Sequence, residues 1–287
     1  MTFPLFAPGI NPGAPNAARV YDYLLGGEDH LAADREEAER LKKIAPGMEL
    51  AARGNRDFLG RAVTYLARQG YTQFLDLGSG LPTMRHVHEV AREVHPHARV
   101  VCVDHDPMVI SHGRALLQRS DGVGVVMVEG DLRDPVQILT DSAVENVLHL
   151  SRPVVALLVD VLHFVSDDDN PAQIVASLRD RMAPGSCLIL SHACHETSPE
   201  VISKRRAGYV WGQTLIHPRP RAEIAAMLHG CVIHRPGLVE ISTWRSRYEI
   251  ASGVPKVPFL GAVADLQPTL AQLARPRSVA VTATARQ

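Results

Sequence analysis

The chain has 287 residues, 46 % of them hydrophobic and 21 % charged, which is enough to bury one large α/β core with additions. Its 30 Lys and Arg against 31 Asp and Glu leave a formal charge of -1, so no global field draws it to nucleic acid or to an anionic membrane. The longest apolar stretch, Val154 to Val165, is too short to span a bilayer and contains Asp160 and His163.

Residues 1 to 15 are rich in Pro and Gly and read as an extended arm without the basic region and long apolar run of a signal peptide. Asn16 can cap a short helix that places Val20, Tyr23 and Leu24 on one face and ends at Gly26-Gly27. A charged helix from about Asp34 to Lys43 follows. The next helix carries Phe58, Leu59, Ala62, Val63 and Leu66 and stops at Gly70. Residues 1 to 70 are therefore expected to form an arm and a helical cap.

From Tyr71 short apolar runs alternate with helical stretches. "TQFLDLG", "ARVVCVDHD", "GVVMVEGD", "PVVALLVDVLHF" and "SCLILSHA" each predict a buried strand, since β-branched and apolar residues run without strict alternation. Val87, Val90, Ala91 and Val94 recur at helical spacing, as do Ile174, Val175, Leu178 and Met182. Such alternation implies a mostly parallel sheet with helices on both faces, over about 71 to 265. An irregular insertion at about 195 to 220 precedes a short helix near Arg221 to Leu228. "CVIHRPGLVEI" and "PFLGAVADL" predict closing strands, and 266 to 287 reads as a mobile tail. The cysteines, Cys102, Cys187, Cys194 and Cys231, lack C-x-x-C spacing and read as buried thiols in a reducing cytoplasm.

In an open parallel sheet, ligands bind beyond the carboxyl ends of the strands. The polar residues fall there: Asp76, Gly78, Ser79 and Gly80 after the first run, Asp104 and His105 after the second, Asp131 and Leu132 after the third, Asp160 and His163 after the fourth. A dinucleotide turn would carry a third glycine where Thr83 stands, and a carboxylate at Asp76 would repel a diphosphate in a partly desolvated site. Asp76 suits a cationic ligand without phosphate, and S-adenosylmethionine, with an ammonium and a sulfonium, is one. Gly78 and Gly80 would let the backbone approach it, Asp104 could accept the ribose hydroxyls, and Asp131 with Leu132 could take the adenine.

The ordered set of Asp76-x-Gly78-x-Gly80, Asp104 and Asp131 resembles the class I S-adenosylmethionine-dependent methyltransferases. "ARVYDYLLGGEDHLAADREEAE", "FLDLGSGLPT", "VDHDPMVISHGRALL" and "LHFVSDDDNP" resemble more narrowly a bacterial S-adenosyl methyltransferase family formerly classed as a domain of unknown function. The resemblance implies a Rossmann-like fold with a mostly parallel seven-stranded sheet, an N-terminal helical cap, S-adenosylmethionine as donor and S-adenosylhomocysteine as product. It names no acceptor, and Glu28, His30 and Asp160 depart from the family pattern on that side.

Tyr21 and Gly26 could close the cap over the donor and exclude water. His163 could act as a general base or position the acceptor, with Asp160 beside it. Arg205, Arg206, Arg219 and Arg221 around Tyr209 and Trp211 could form an acceptor pocket or a solvated surface. No metal site is expected: His88 lacks the second histidine of H-E-x-x-H, the histidines of "HVHEVAREVHPH" fall largely on exposed helix faces, and His192, Cys194 and His195 lack a second ligand pair. A neutral chain with a cap favours a small-molecule acceptor over nucleic acid. A nicotinamide-dependent oxidoreductase and a non-catalytic S-adenosylmethionine sensor remain the alternatives, and oligomeric state is open.

Overall fold

The Asn16 side chain accepts from the backbone N–H groups of Ala18 and Arg19 at 2.9 and 3.2 Å and so starts helix α1 (Ala17–Leu25). Such a cap contributes about 1 kcal/mol. Gly26 ends the helix at φ +84°, where a side chain would be strained. The computed structural model describes residues 11–82, 85–119, 124–195, 210–211, 214–246, 259–270 and 278–280. Helix α2 (Ala32–Ile44) is fastened to α1 by a buried pair, Arg19 Nε to Asp34 Oδ2 at 2.6 Å, and Asp34 also accepts from Asn16 and Leu31 N–H. Val20, Leu24, Ala38 and Leu41 fill the space between them together with Met48 and Ala52 of α3 (Met48–Ala67).

The main sheet contains β1 (Gln73–Leu77), β2 (Arg99–Asp104), β3 (Val125–Glu129), β4 (Val155–Val159), β5 (Cys187–Ala193), β8 (Val232–His234), β9 (Val239–Glu240), β10 (Phe259–Asp265) and β11 (Ser278–Ala280). Its order is β11-β8-β10-β5-β4-β1-β2-β3, with β9 also on β10. The strands β3, β2, β1, β4 and β5 are parallel, while β8, β9, β10 and β11 pair antiparallel. The expected seven-stranded core is there, extended by β9 and β11. Ser278–Ala280, expected in a tail, pairs with Val232–His234, because the edge strand β8 offers backbone partners to the apolar run "SVA".

Helices α4 (Val87–Arg92), α5 (Pro107–Arg119) and α3 pack on one face; α6 (Pro135–Leu139), α7 (Ser142–Glu145), α8 (Pro171–Arg181) and α9 (Arg221–Met227) pack on the other. The central strands alternate between two apolar layers: Leu75, Val101, Ala156 and Leu188 point to one, Phe74, Val100, Val155 and Ile189 to the other. On β10 a Cβ at Gly261 would come within 2.8 Å of the Phe58 ring, so this glycine lets α3 lie against the sheet.

Two short strands, β6 (Val210–Trp211) and β7 (Thr214–Leu215), pair within the region expected as an insertion; Arg205, Arg206 and Tyr209 lie outside the described residues. At the amino ends of the parallel strands, Cys187, Asp265 and His234 form a buried cluster. Asp265 Oδ1 accepts from Cys187 Sγ at 3.1 Å and stands 2.9 Å from His234 Nε2; Tyr71 and Tyr65 hydroxyls reach Cys187 and His234 at 3.0 and 3.2 Å.

Candidate active site

The chain runs outward from β1 to β2 and β3 and then returns to β4 on the other side of β1, so the sheet reverses its winding between β1 and β4, and a cavity of about 440 Å³ opens over the carboxyl ends there. Gly78 and Gly80 follow β1 with φ of +73° and +64°, and a Cβ on Gly78 would collide with Val161. Glycine is required twice, once for conformation and once for space. Gly80 N–H donates to Asp104 Oδ2 at 3.0 Å, and Asp106 N–H donates to Asp104 Oδ1 at 3.0 Å. Asp104 thus shapes the glycine turn while it faces the cavity. Burial raises its pKa, partly offset by those two N–H groups.

Asp76 is buried in the floor, and desolvation raises its carboxyl to about 7, with Arg56 opposing and Asp104 adding to the shift. Asp131 is held by Arg133, whose Nε lies 2.9 Å from both carboxylate oxygens, and this contact lowers its pKa. The capping of α6 falls to Asp134, which accepts from Gln137 N–H at 3.0 Å. Leu132, Ser79 and His105 also line the cavity.

Past β4, Asp160 has φ +61°, unusual for a residue with a side chain, and its N–H donates to Ser191 Oγ at 2.9 Å. Ser191 Oγ in turn donates to Asn55 Oδ1 at 2.7 Å. This relay fixes both side chains in the cavity wall. Asp160 Oδ1 and Asn55 Nδ2 are buried without a hydrogen bond among the described residues, although the nearby amide still favours ionised Asp160. Burial, the larger influence, pushes Asp160 up to about 6.

The cap of the same chain forms the roof. Tyr21 lines the cavity and donates from its hydroxyl to Ala52 O at 3.1 Å, and burial raises its pKa. Asn16 Nδ2 donates to Asp106 Oδ2, joining the start of α1 to the loop after β2. Arg56 of α3 stands over the Tyr21 ring, 5.5 Å from its centroid, with Nε buried and unbonded.

Of the residues singled out from sequence, Tyr21, Asp76, Gly78, Ser79, Gly80, Asp104, His105, Asp131, Leu132 and Asp160 line this cavity. Gly26 and His163 do not. Gly26 caps α1, and the turn it opens lets Asp22 bond Asp29 N–H at 2.8 Å. His163 is turned inward by a 3-10 turn, Leu162–Phe164, and is 1 % exposed, packed against Phe164, His192 and Phe259. Burial depresses its pKa well below the usual imidazole range, and Nε2 lies 3.6 Å from Asp160 Oδ1.

Arg219 and Arg221 are also absent from the cavity wall. Arg219 is buried against Leu162 O, Val165 O and Asp167, and Arg221 bonds Leu238 O. The exposed faces expected for "HVHEVAREVHPH" hold for His97 but not for His86 and His88: α4 begins only at Val87, so its cap His86 is packed beneath the glycine turn, 3.7 Å from Asp76. Cys102 joins His86 and Asp76 there in a buried trio of ligand-type side chains.

Sequence reading took Asn16 as a helix cap, which it is, but not as part of the cavity wall, and it missed Asn55 and Arg56. A signal for Asn55 existed: it is a polar residue on the stripe Ala51, Ala52, Phe58, Leu59 and Ala62, all buried.

Comparison with known proteins agrees with this geometry. Residues 6–267 match the family model for S-adenosyl methyltransferase. A crystal structure of a Thermobifida fusca protein described as a methyltransferase superposes with a TM-score of 0.82 at 36 % identity, covering 91 % of this chain and 98 % of that one. A DUF574 family protein from Streptomyces avermitilis gives 0.80 at 34 % identity, covering 88 % and 97 %. No curated protein matched the sequence.

Proposed function

The chain belongs to the S-adenosyl methyltransferase family, and from that premise we propose that it methylates a small molecule held between the end of β4 and the cap helices α1 and α3. S-adenosylmethionine supplies a methyl group already activated on a positively charged sulfur. The protein's part is to bind, orient and exclude water. Asp104 and the Gly78 to Gly80 backbone suit the ribose and the chain beside it, Asp131 and Leu132 the adenine, and Asp76 the cationic end. The fit rests on this chain's chemistry: two positive-φ glycines that clear backbone space, and buried polar atoms without a hydrogen bond among the described residues.

On the acceptor side, Asp160 is the group that takes or orients a proton. It faces the cavity, and a carboxyl raised to about 6 is matched to neutral working pH. His163, behind the wall, acts through Asp160 as a positioning residue rather than touching the acceptor. The chain's near-neutral charge favours a small acceptor over nucleic acid. The four cysteines are free and buried, which supports a cytoplasmic location, and no helix among the described residues is long and apolar enough to cross a membrane.

The observation that carries the reading is one cavity whose wall takes a carboxylate from four adjacent strand ends and whose roof is the chain's own N-terminal helices. Isothermal titration with S-adenosylmethionine, S-adenosylhomocysteine and NADH tests it. Binding of both adenosyl ligands, weakened in Asp104→Ala and absent for NADH, is expected; binding of NADH alone would sink the proposal. An acceptor screen with methyl-labelled donor then separates an enzyme from a sensor.

A further inference from the structure

The cavity wall is acidic, with seven aspartates and two arginines. Most of these charges already have protein partners. Asp104 and Asp106 receive backbone N–H groups, Asp22 receives Asp29 N–H, Asp131 is clasped by Arg133, and Asp169 accepts from Ser166. Three are left: Asp160 Oδ1 and Arg56 Nε are buried without a hydrogen bond among the described residues, and the Asp76 carboxylate has only the 3.7 Å approach of His86 Nε2. Arg56 Nε is fully shielded from solvent and unbonded, and its guanidinium rests on the Tyr21 ring. A buried guanidinium nitrogen without an acceptor is costly unless a ligand supplies one.

Strand order says which part of the donor lies nearby. The strands run β3-β2-β1-β4, with the adenine-suited Asp131 after β3 and the ribose-suited Asp104 at the end of β2. A donor laid along these ends puts its amino-acid part over β1 and β4, beneath Arg56. That part is a zwitterion, and the protein offers one carboxylate and one guanidinium there. We infer that Arg56 is the receptor for the donor's α-carboxylate, beside the Asp76 already given to its cationic end, so that α3 of the cap, and not the sheet alone, selects an intact amino-acid end. The assignment rests on the donor reading proposed above. Guanidinium suits the task because its fork can hold both carboxylate oxygens, and Tyr21 fixes its plane.

The test is calorimetric binding, with no need for the acceptor. The full chain, Arg56→Gln and Arg56→Lys are titrated with S-adenosylmethionine and with decarboxylated S-adenosylmethionine, which keeps the sulfonium and the ammonium but lacks the carboxylate. Wild type should prefer the intact donor by about tenfold or more, the worth of a charge-assisted hydrogen bond. Arg56→Gln should lose that preference by weakening the intact donor far more than the decarboxylated one, which feels only the change in Asp76 ionisation once the guanidinium is gone, and Arg56→Lys should recover part of it. Retained affinity for the decarboxylated compound certifies the fold of each variant. Equal weakening of both compounds, or a preference that survives in Arg56→Gln, overturns the assignment and gives Arg56 to the fold or to the acceptor. If wild type binds both compounds equally, only the Arg56 assignment falls; if it binds neither, the donor reading falls with it.

Discussion

Two ends of one sheet bury polar side chains in opposite ways. At the amino ends of the parallel strands, Cys187, Asp265, His234, Tyr65 and Tyr71 each lie within hydrogen-bonding distance of another member of the cluster, and the Tyr71 hydroxyl donates to Gly185 O. At the carboxyl ends, Asp160 Oδ1, Asn55 Nδ2 and Arg56 Nε are just as hidden but have no bond among the described residues. The first arrangement satisfies the rule that buried polar groups are paired; the second breaks it where the backbone at Asp160 is also strained. Closed networks hold a fold together, whereas open ones keep their capacity for a ligand.

Substitutions should divide along that line. Asp160→Asn gives the largest functional loss, roughly 10²- to 10⁴-fold in turnover against the acceptor that the labelled-donor screen identifies. Its melting temperature should hold or rise, since Asn tolerates φ near +60° and removes a buried ionisable group; a falling melting temperature would place Asp160 among the structural residues. Asp265→Ala should do the reverse, lowering unfolding stability by about 3 kcal/mol in a denaturant titration because His234 is left without its buried partner. Its affinity for S-adenosylhomocysteine should stay at the wild-type value.

Asp104→Asn sits between the two, since that side chain both faces the cavity and holds the glycine turn. It should weaken S-adenosylhomocysteine binding by about tenfold or more and destabilise by about 1 to 2 kcal/mol, read by calorimetry and by melting. The smallest effect is that of pH. Asp76 titrates near 7 in the free protein, and a cationic ligand favours its ionised form. Donor affinity should therefore climb, by up to about tenfold per unit, as pH rises towards 7, and level off above it. The stability contribution has the opposite sign: Asp76 and Asp160 are raised from 3.8 to about 7 and about 6, so the folded state binds more protons than the unfolded one. Their contribution is complete below about pH 4 and is lost as pH rises through 6 to 7.

The sheet was legible because every central strand is a continuous apolar run flanked by helical periodicity, and because Asp76, Asp104, Asp131 and Asp160 each follow such a run. The roof was not. Asn55 and Arg56 belong to a helix whose periodicity announces only an apolar face, and what they meet depends on α3 packing against β4 and β5, where Asn55 meets Ser191 across 136 residues of chain. His163 misled for a related reason. Its position after β4 is where a reacting group belongs, but the single 3-10 turn that follows the strand directs the ring inward, and sequence gives no reading of that rotation. Arg219 was drawn from a cluster of arginines in sequence and proved to be a brace for the loop at Asp167.

The bond from Asn16 to Asp106 has a bearing on time as well as on shape. The residue that starts α1 is also a latch across the cavity's mouth, so helix formation and closure share one side chain. If the spent donor leaves past this bond, its departure is expected to wait for the bond to open. Stopped-flow displacement of S-adenosylhomocysteine should accordingly be faster in Asn16→Ser, which keeps a capping oxygen but is too short to latch; an unchanged dissociation rate would leave the mouth open at all times.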